Sequence, residues 1–176
     1  AVRGGGRLAR HLVRGHRRAV DPAATFIEGD VADRPHVERV LADHGVDAVI
    51  HFAALIEAGE SMKQPETYFR NITAGSLSLL EAMLAQGVNR IVFSSTAAVY
   101  GTPESLPIRE NAPLRPTNAY GAAKLMVENM LGWFHQIHGL RYAALRYFNA
   151  AGAAPPLGED HQPESHLIPL AIQAVL

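Results

Sequence analysis

The spacing of apolar residues alternates along the chain between the pattern of buried strands and the pattern of helices with one apolar face. Short apolar runs predict strands at 25–28, 47–54, 90–94 and 141–147. Longer segments with apolar residues three and four positions apart predict helices at 35–44, 65–86, 118–138 and 167–176. Strands separated by helices predict βαβ units, a parallel sheet and an α/β fold.

Polar or small side chains follow these strands at the points where the strands end. The run 47–54 is apolar, which predicts a strand buried on both faces of the sheet. Ligands of parallel sheets bind beyond the carboxyl ends of the strands, so the residues there are candidates for a site. They are Asp30, the turn at 52–54, the hydroxyl run at 94–96, and Asn149.

Composition excludes several classes of protein. The 176 residues suffice for one domain, and 48% apolar with 19% charged residues is ordinary for a soluble globular protein. A net charge of −1 gives no reason to expect nucleic acid as partner, and no apolar run approaches the roughly 20 residues of a membrane span. The absence of cysteine excludes disulfides and fits a cytoplasmic protein. Nine scattered histidines predict no metal site.

Tyr120 and Lys124 form the most informative pair of residues in the chain. On a helix, residues four apart lie one turn apart on the same face, so the phenol and the ammonium are expected side by side. A free tyrosine has a pKa of about 10, and a fixed cation one turn away stabilises the phenolate. The pair is suited to transferring a proton at neutral pH, although the same spacing also occurs on surface helices as a solvated pair.

The other candidates each have a structural explanation beside the functional one. Asp30 could bond a nucleotide or cap a turn, and Asn71 could brace the backbone under a site or lie at the surface. The alanines at 53 and 54 suit the approach of a flat ligand or simple tight packing. The hydroxyls at 94–96 suit a substrate hydroxyl or a cap on the next turn, and beside the tyrosine–lysine pair we favour the substrate.

A series of motifs runs through about nine-tenths of the chain. They are Gly-Asp-Val at 29–31, Phe-Ala-Ala at 52–54, Gly-Glu-Ser at 59–61, Phe-Ser-Ser-Thr at 93–96, Val-Tyr-Gly at 99–101, Asn-Ala-Tyr-Gly-Ala-Ala-Lys at 118–124, Arg-Tyr-Phe-Asn at 146–149, Ala-Gly-Ala at 151–153, Gly-Glu-Asp at 158–160 and His-Leu-Ile-Pro at 166–169. In order and spacing they resemble the extended short-chain dehydrogenase/reductase family, and within it the bacterial UDP-glucose 4-epimerases. The resemblance implies a Rossmann-like, doubly wound parallel sheet that binds NAD.

The resemblance also implies roles for individual residues. Tyr120 would be the general base and acid on the sugar 4-hydroxyl, Lys124 would lower its pKa and hold the nicotinamide ribose, and Thr96 would bond the same hydroxyl. The remaining residues implied to bind NAD are Gly6, Asp30, Val31, Phe52, Ala53, Ala54, Asn71 and Phe148. Besides Thr96 and Tyr120, those implied to bind the substrate are Asn149, His166 and Leu167.

The implied activity is NAD-dependent epimerisation at C4 of a UDP-sugar, UDP-glucose or UDP-galactose, through a 4-keto intermediate. The implied assembly is a homodimer formed through the two long helices. Another nucleotide-sugar enzyme of the family, a decarboxylase or a dehydratase, stays an alternative, as does a non-catalytic nucleotide-binding remnant. Dehydratases of the family carry an acidic pair after the strand-end hydroxyl, whereas this chain has Ala97 and Ala98 there. One departure from the epimerase pattern is Ile56, which stands where many of these epimerases have a lysine.

The N-terminal part departs from the family pattern. The family opens with a strand, a glycine-rich turn, a helix and a second strand that ends in an acidic residue. Gly6 fits the middle glycine of that turn and Ala9 the last, but Arg3 stands where the first glycine belongs. Val13 runs almost directly into a segment that follows the second strand in the family, so roughly 20 residues of the βαβ unit are missing.

These departures shape the predicted domain organisation. Residues 1–176 are expected to form a partial NAD-binding Rossmann domain, with the sugar-binding region only begun at about 150–176. Three explanations are open: a longer protein with segments missing from this sequence, a truncated epimerase, or a non-catalytic descendant. We favour the first, because deleting central strands of a parallel sheet would leave unpaired backbone groups and half a core.

Overall fold

The computed structural model describes residues 6–9, 20–152 and 167–175, with side chains from residue 20 onward. The strands are β1 (Gly6–Ala9), β2 (Thr25–Glu28), β3 (Val49–His51), β4 (Arg90–Thr96) and β5 (Arg141–Tyr147). The helices are α1 (Arg34–Asp43), α2 (Ala58–Ser61), α3 (Pro65–Tyr68), α4 (Gly75–Ala85), α5 (Ala119–His138) and α6 (Leu167–Gln173). A π-helical segment (Phe69–Ala74) joins α3 to α4, and a 3-10 helix (Ala97–Tyr100) follows β4.

The described strands form two parallel sheets. β1 pairs with β2, and β3, β4 and β5 form the second sheet with β4 in its centre. Thr96, at the carboxyl end of β4, lies opposite Tyr147 at the end of β5. The predicted α/β class and parallel pairing are confirmed, and the strand ends meet at one edge of the sheet as expected.

The core lies between the three-stranded sheet and the helices on one of its faces. Leu80 and Met83 of α4 meet Val127 and Leu131 of α5 in one cluster, in which Phe93 of β4 is also buried. α1 packs against α4, and its Val37 and Leu41 belong to the same cluster. Because burial of each large apolar side chain contributes roughly 1.5–3 kcal/mol, this cluster fixes α5 firmly against the sheet.

The opposite face of the three-stranded sheet is not covered by any element in the described part of the chain. Ile50 is 52% exposed, and Leu145 and Tyr147, which point the same way on β5, are also exposed. The prediction that the run 47–54 is buried on both faces is therefore wrong for these residues. The strand is also shorter than predicted, because the chain leaves the sheet after His51 in an irregular turn.

The helix predicted over 65–86 is continuous but contains the π-helical segment. Because a π turn holds more residues than an α turn, it rotates α4 relative to α3 about the helix axis. Tyr68 and Ile72 remain in the core, while Asn71 between them reaches the loop after β3. The amide nitrogen of Leu55 donates to Asn71 Oδ1 over 2.9 Å, so the segment ties this loop to the helix.

Gly6 does not lie in a glycine-rich turn before a helix, as its place in the motif predicted. It is the first residue of β1 and pairs with Thr25 across a parallel ladder. The physical reason is that β2 presents backbone donors and acceptors along its edge, and the run Gly6–Ala9 satisfies them by adding a strand. The junction near residues 13–15, where the missing segment was inferred, lies outside the described residues.

Candidate active site

The start of α5 is the element that positions the candidate catalytic residues. Asn118 is its N-cap, and the amide nitrogen of Gly121 donates to Asn118 Oδ1 over 2.8 Å. A Cβ placed on Gly121 would lie 2.7 Å from the carbonyl oxygen of Ala98, so the helix touches the 3-10 turn after β4. This contact brings Tyr120, in the first turn of α5, to Thr96 at the end of β4.

Tyr120 and Thr96 meet at this contact. Tyr120 is partly buried, and burial raises the pKa of its phenol, since the charged phenolate is poorly solvated there. A side-chain hydrogen bond with Thr96 acts in the opposite direction and lowers the pKa, as a donor to the phenolate oxygen would. The hydroxyl of Thr96 also accepts from the amide nitrogen of Ala98 over 3.2 Å, which fixes its rotamer.

Lys124 lies one turn further along α5, and only 2% of its surface is exposed. Its ammonium donates to the carbonyl oxygen of Ser94 over 2.7 Å and lies 4.8 Å from the ring centroid of Phe93. Burial lowers the pKa of Lys124 to about 8. The ammonium is 5.9 Å from the ring centroid of Tyr120, so the two side chains are neighbours, as the spacing predicted.

The expected lowering of the pKa of Tyr120 by Lys124 is not what the structure shows. The pKa of the phenol is raised, because burial outweighs the one effect that lowers it, the bond with Thr96. The ammonium of Lys124 is oriented toward the carbonyl oxygen of Ser94, to which it donates a hydrogen bond. Sequence spacing predicted the proximity of the two residues but not this orientation.

Small and aromatic residues lie at the ends of β3 and β5, on either side of the candidate residue Thr96 of β4. The rings of Phe52 and Tyr147 stack with centroids 6.5 Å apart, and Phe148 is exposed next to them. Ala53 and Ala54 are partly buried in the turn that follows Phe52. This arrangement offers a flat apolar surface next to Thr96, the strand partner of Tyr147, of the kind that suits an aromatic ring.

Other predicted site residues make structural contacts or are exposed. Asp30 Oδ1 accepts from the amide nitrogen of Ala32 over 2.9 Å, which is a turn contact, and Val31 is buried against Gly75. Asn149 and Leu167 are exposed, and His166 lies outside the described residues. The structure therefore brings together Thr96, Tyr120 and Lys124.

Ser95, one of the three candidate hydroxyls, has a structural partner. Its hydroxyl donates to the carboxylate of Glu128, which also forms an ion pair with Arg146 over 2.7 Å. Arg146 in turn donates to the phenol oxygen of Tyr100 over 2.9 Å and to the carbonyl of Glu110. The hydrogen bond with Glu128 raises the pKa of Arg146 further above its usual range. These contacts hold α5, β5 and the loop after Tyr100 together beneath the site.

Two buried polar residues near the site were missed by sequence reasoning. His51 Nε2 lies 2.9 Å from Ser76 Oγ, and Ser61 Oγ accepts from the amide nitrogen of Tyr120. A histidine inside an apolar strand was a usable signal for His51, since a buried polar group must find a partner. Ser61 lies in the Gly-Glu-Ser motif, but nothing in the sequence indicated which atom it would meet.

His51 makes the stability of the fold depend on pH. Burial, with a smaller effect of the Lys124 charge, lowers the pKa of His51 from 6.5 to about 4. Between pH 6.5 and pH 4 the unfolded chain binds a proton at this histidine that the folded chain does not bind. The free energy of unfolding therefore keeps its full value above pH 6.5 and decreases as the pH falls toward 4. A shift of this size corresponds to at most about 3 kcal/mol.

We therefore expect His51→Gln to flatten the loss of unfolding free energy between pH 7 and pH 4.5, measured by urea denaturation. His44→Gln, at the exposed end of α1, is the matched control and should leave the pH dependence as it is. An equally steep loss in His51→Gln would show that His51 is not the group responsible.

The described residues contain no group of three or more histidine, aspartate and glutamate side chains arranged to hold a metal ion. Within the same ranges, no helix combines the length and the apolar character needed to cross a membrane.

Comparison with known proteins identifies relatives of this chain. The model of the NAD dependent epimerase/dehydratase family matches residues 7–176. UDP-glucose 4-epimerase of Streptococcus mutans is 53% identical over 165 residues, covering 92% of this chain and 50% of the relative. This chain therefore spans about half the length of the curated relatives it matches.

Solved structures of relatives have the same fold. UDP-glucose 4-epimerase from Brucella ovis in complex with NAD matches with a TM-score of 0.89 and 45% identity, over 93% of this chain and 50% of that one. UDP-glucose-4-epimerase from Stenotrophomonas maltophila with bound NAD and formylated UDP-arabinopyranose matches with a TM-score of 0.81 and 40% identity. This second match covers 88% of this chain and 48% of the other.

Proposed function

The chain belongs to the NAD dependent epimerase/dehydratase family, and from this membership and the site geometry we propose that the full-length protein is an NAD-dependent UDP-sugar 4-epimerase. The observation that carries the proposal is the meeting of Thr96, Tyr120 and Lys124 at the carboxyl end of β4. A hydroxyl, a buried phenol and a buried ammonium in one place form a set suited to moving a proton on and off a sugar hydroxyl.

Each of these residues has a distinct task in the proposed reaction. Tyr120 takes the proton of the sugar 4-hydroxyl when the carbonyl forms and returns it when the hydroxyl is restored. Thr96 bonds the same hydroxyl and, through its bond with the phenol oxygen, favours the phenolate. Lys124, with three ammonium donors of which one is used by Ser94, can also bond a ribose hydroxyl.

The residues at the strand ends fit the nicotinamide end of NAD. Phe52, Ala53 and Phe148 offer the surface for the ring, and Asn71 supports the turn through the amide of Leu55. The chemistry that the cofactor supplies is the reversible oxidation of the sugar at C4. Asp30 and Val31 are proposed to lie near the adenine. Gly6 lies in β1.

The substrate proposed is UDP-glucose or UDP-galactose. Similarity to UDP-glucose 4-epimerases over more than nine-tenths of this chain supports a UDP-sugar, and one solved relative holds a UDP-sugar together with NAD. Asn149, His166 and Leu167 are proposed to contact it, in a sugar-binding region that begins at about residue 150. Ala97 and Ala98 after Thr96 carry no acid or base, which argues against a dehydratase.

Purified full-length protein tests this proposal directly. We expect NAD to be retained on purification and UDP-galactose to be converted to UDP-glucose. Retained NAD without this conversion would point to another reaction of the family, such as decarboxylation. Absence of NAD binding would point to the non-catalytic remnant.

The lack of cysteine in these residues supports the cytoplasm as the compartment.

We also propose that the protein forms a homodimer through the π-helical segment, α4 and α5. These elements leave an open apolar groove of about 510 Å³, lined by Phe69, Arg70, Thr73, Ala74, Leu77 and Met126. Trp133, which is 63% exposed, and Ile137 continue the apolar surface of Met126 along α5 at helical spacing. An exposed apolar stripe of this kind is typical of a surface that pairs with another copy.

The double substitution Met126→Glu and Trp133→Glu is expected to convert the dimer to a monomer, because it places charge in the apolar interface. The molar mass measured by light scattering during size-exclusion chromatography should fall by half. Leu106→Glu, in an exposed loop outside the helices, is the control and should leave the mass unchanged. A wild-type protein that is monomeric at every concentration would refute the proposal.

A further inference from the structure

Ser61 is a fully buried polar residue at the end of α2, and its hydroxyl makes two hydrogen bonds. The hydroxyl donates to the carbonyl oxygen of Ala58 over 2.6 Å. It accepts from the amide nitrogen of Tyr120 over 3.1 Å, from a residue 59 positions away in the chain. None of its surface is exposed, so water does not replace either contact.

The contact with Tyr120 completes the N-terminus of α5. The first amides of a helix have no partner within it, and Asn118 satisfies only the amide of Gly121. The amide of Tyr120 is satisfied by Ser61. The first turn of α5 is thus held from two sides, by its own N-cap and by a serine that belongs to another helix.

A hydrogen bond from a buried side chain holds α2 in place, and this fixes the position of Ser61. The phenol of Tyr68, which is completely buried, donates to the carboxylate of Glu60 over 2.8 Å. Tyr68 immediately precedes the π-helical segment, which carries Asn71. Glu60 and Ser61 therefore connect the helix that supports the turn after β3 to the first turn of α5.

We propose that Ser61 is a positioning residue that fixes the first turn of α5 and thereby holds the phenol of Tyr120 against Thr96. This inference rests on the proposed function, because it assigns a role in the same site. Without the hydroxyl, a partly buried amide loses its acceptor, and the turn gains freedom to move away from the end of β4. The phenol then loses its bond with Thr96 in part of the population.

The experiment measures the phenol directly in the full-length protein. The ionisation of Tyr120 is obtained from tyrosine absorbance near 295 nm, as the difference between each protein and the same protein carrying Tyr120→Phe. Ser61→Ala is compared with wild type and with Ser76→Ala, which also removes a buried serine hydrogen bond but has no contact with Tyr120. Steady-state kinetics with UDP-galactose are measured on the same proteins.

In Ser61→Ala we expect the pKa of Tyr120 to rise above its wild-type value, since the bond from Thr96 lowers it. We expect kcat to fall by about tenfold to a hundredfold with KM nearly unchanged, as misplacement of a reacting group predicts. Ser76→Ala should keep the wild-type pKa of Tyr120. An unchanged pKa in Ser61→Ala would overturn the proposal.

A second variant covers the case in which Ser61→Ala is not recovered folded. Ser61→Cys is nearly isosteric, but its sulfur is a much weaker acceptor, and a wild-type pKa of Tyr120 in this variant would equally overturn the proposal. The absorbance measurement needs no turnover. If the protein proves not to be an epimerase, the titration still decides whether Ser61 positions Tyr120.

Discussion

Replacing Tyr120 with phenylalanine in the full-length protein is expected to lower kcat for the interconversion of UDP-glucose and UDP-galactose by about a hundredfold to ten-thousandfold. This is the usual contribution of a positioned acid–base group. The substitution removes one oxygen and leaves the ring, which packs against the core cluster, so the fold should be retained. KM and bound NAD should therefore change little.

The measurement is kcat and KM by coupled assay, with NAD content determined on the same samples. Tyr142→Phe is the matched control, because Tyr142 is an exposed tyrosine on β5 away from Thr96 and Lys124. It should retain wild-type kcat. A Tyr120→Phe protein with near wild-type kcat and intact NAD content would exclude Tyr120 as the acid–base residue and leave Thr96 as the group to examine.

The local elements of this fold could be predicted because their signals are local. β2 occupies the predicted residues, and α5 ends where Gly139 adopts a left-handed conformation with φ of 70°. Asn118 caps the helix whose first turn carries Tyr120, so the proximity of Tyr120 and Lys124 followed from helical periodicity alone. Turn chemistry, capping and spacing of apolar residues each depend on a few neighbouring positions.

The properties that could not be predicted depend on contacts distant in sequence. Burial of Tyr120 raises its pKa, whereas spacing alone had indicated a lowered one. The direction of the Lys124 ammonium depends on the carbonyl of Ser94, 30 positions away. Likewise, the partner of Ser61 could not be read from its motif, because the motif does not encode which helix end packs on it.

Gly6 and Ile50 show how the predictions depend on what surrounds a strand. Gly6 was expected to form part of a turn, but the edge of β2 offers backbone pairing, and Gly6–Ala9 pairs with it as a strand. An apolar strand was expected to be covered on both sides, but in the described residues nothing lies over Ile50. In both cases the local pattern is compatible with two outcomes, and the neighbouring elements decide between them.

Gly121→Ala is expected to lower both stability and activity, whereas Gly132→Ala on the same helix should raise stability. A Cβ on Gly121 would lie 2.7 Å from the carbonyl oxygen of Ala98, so the backbone of α5 or of the 3-10 turn must move. Overpacking of this kind costs about 1–3 kcal/mol. A Cβ on Gly132 meets only the hydroxyl of Tyr142 at 3.9 Å, and alanine in a helix is favoured over glycine by about 0.5–1 kcal/mol.

The comparison isolates the close approach of α5 to the end of β4, because the two variants share the helix and the chemical change. Thermal midpoints at equal NAD concentration should shift in opposite directions, downward for Gly121→Ala and upward for Gly132→Ala. The kcat of Gly121→Ala should also fall, since the added methyl group pushes Tyr120 away from Thr96. Equal midpoints would show that the close approach to Ala98 does not limit stability. Loss of stability in Gly121→Ala with full kcat would show that the contact supports the fold but does not set the position of the phenol.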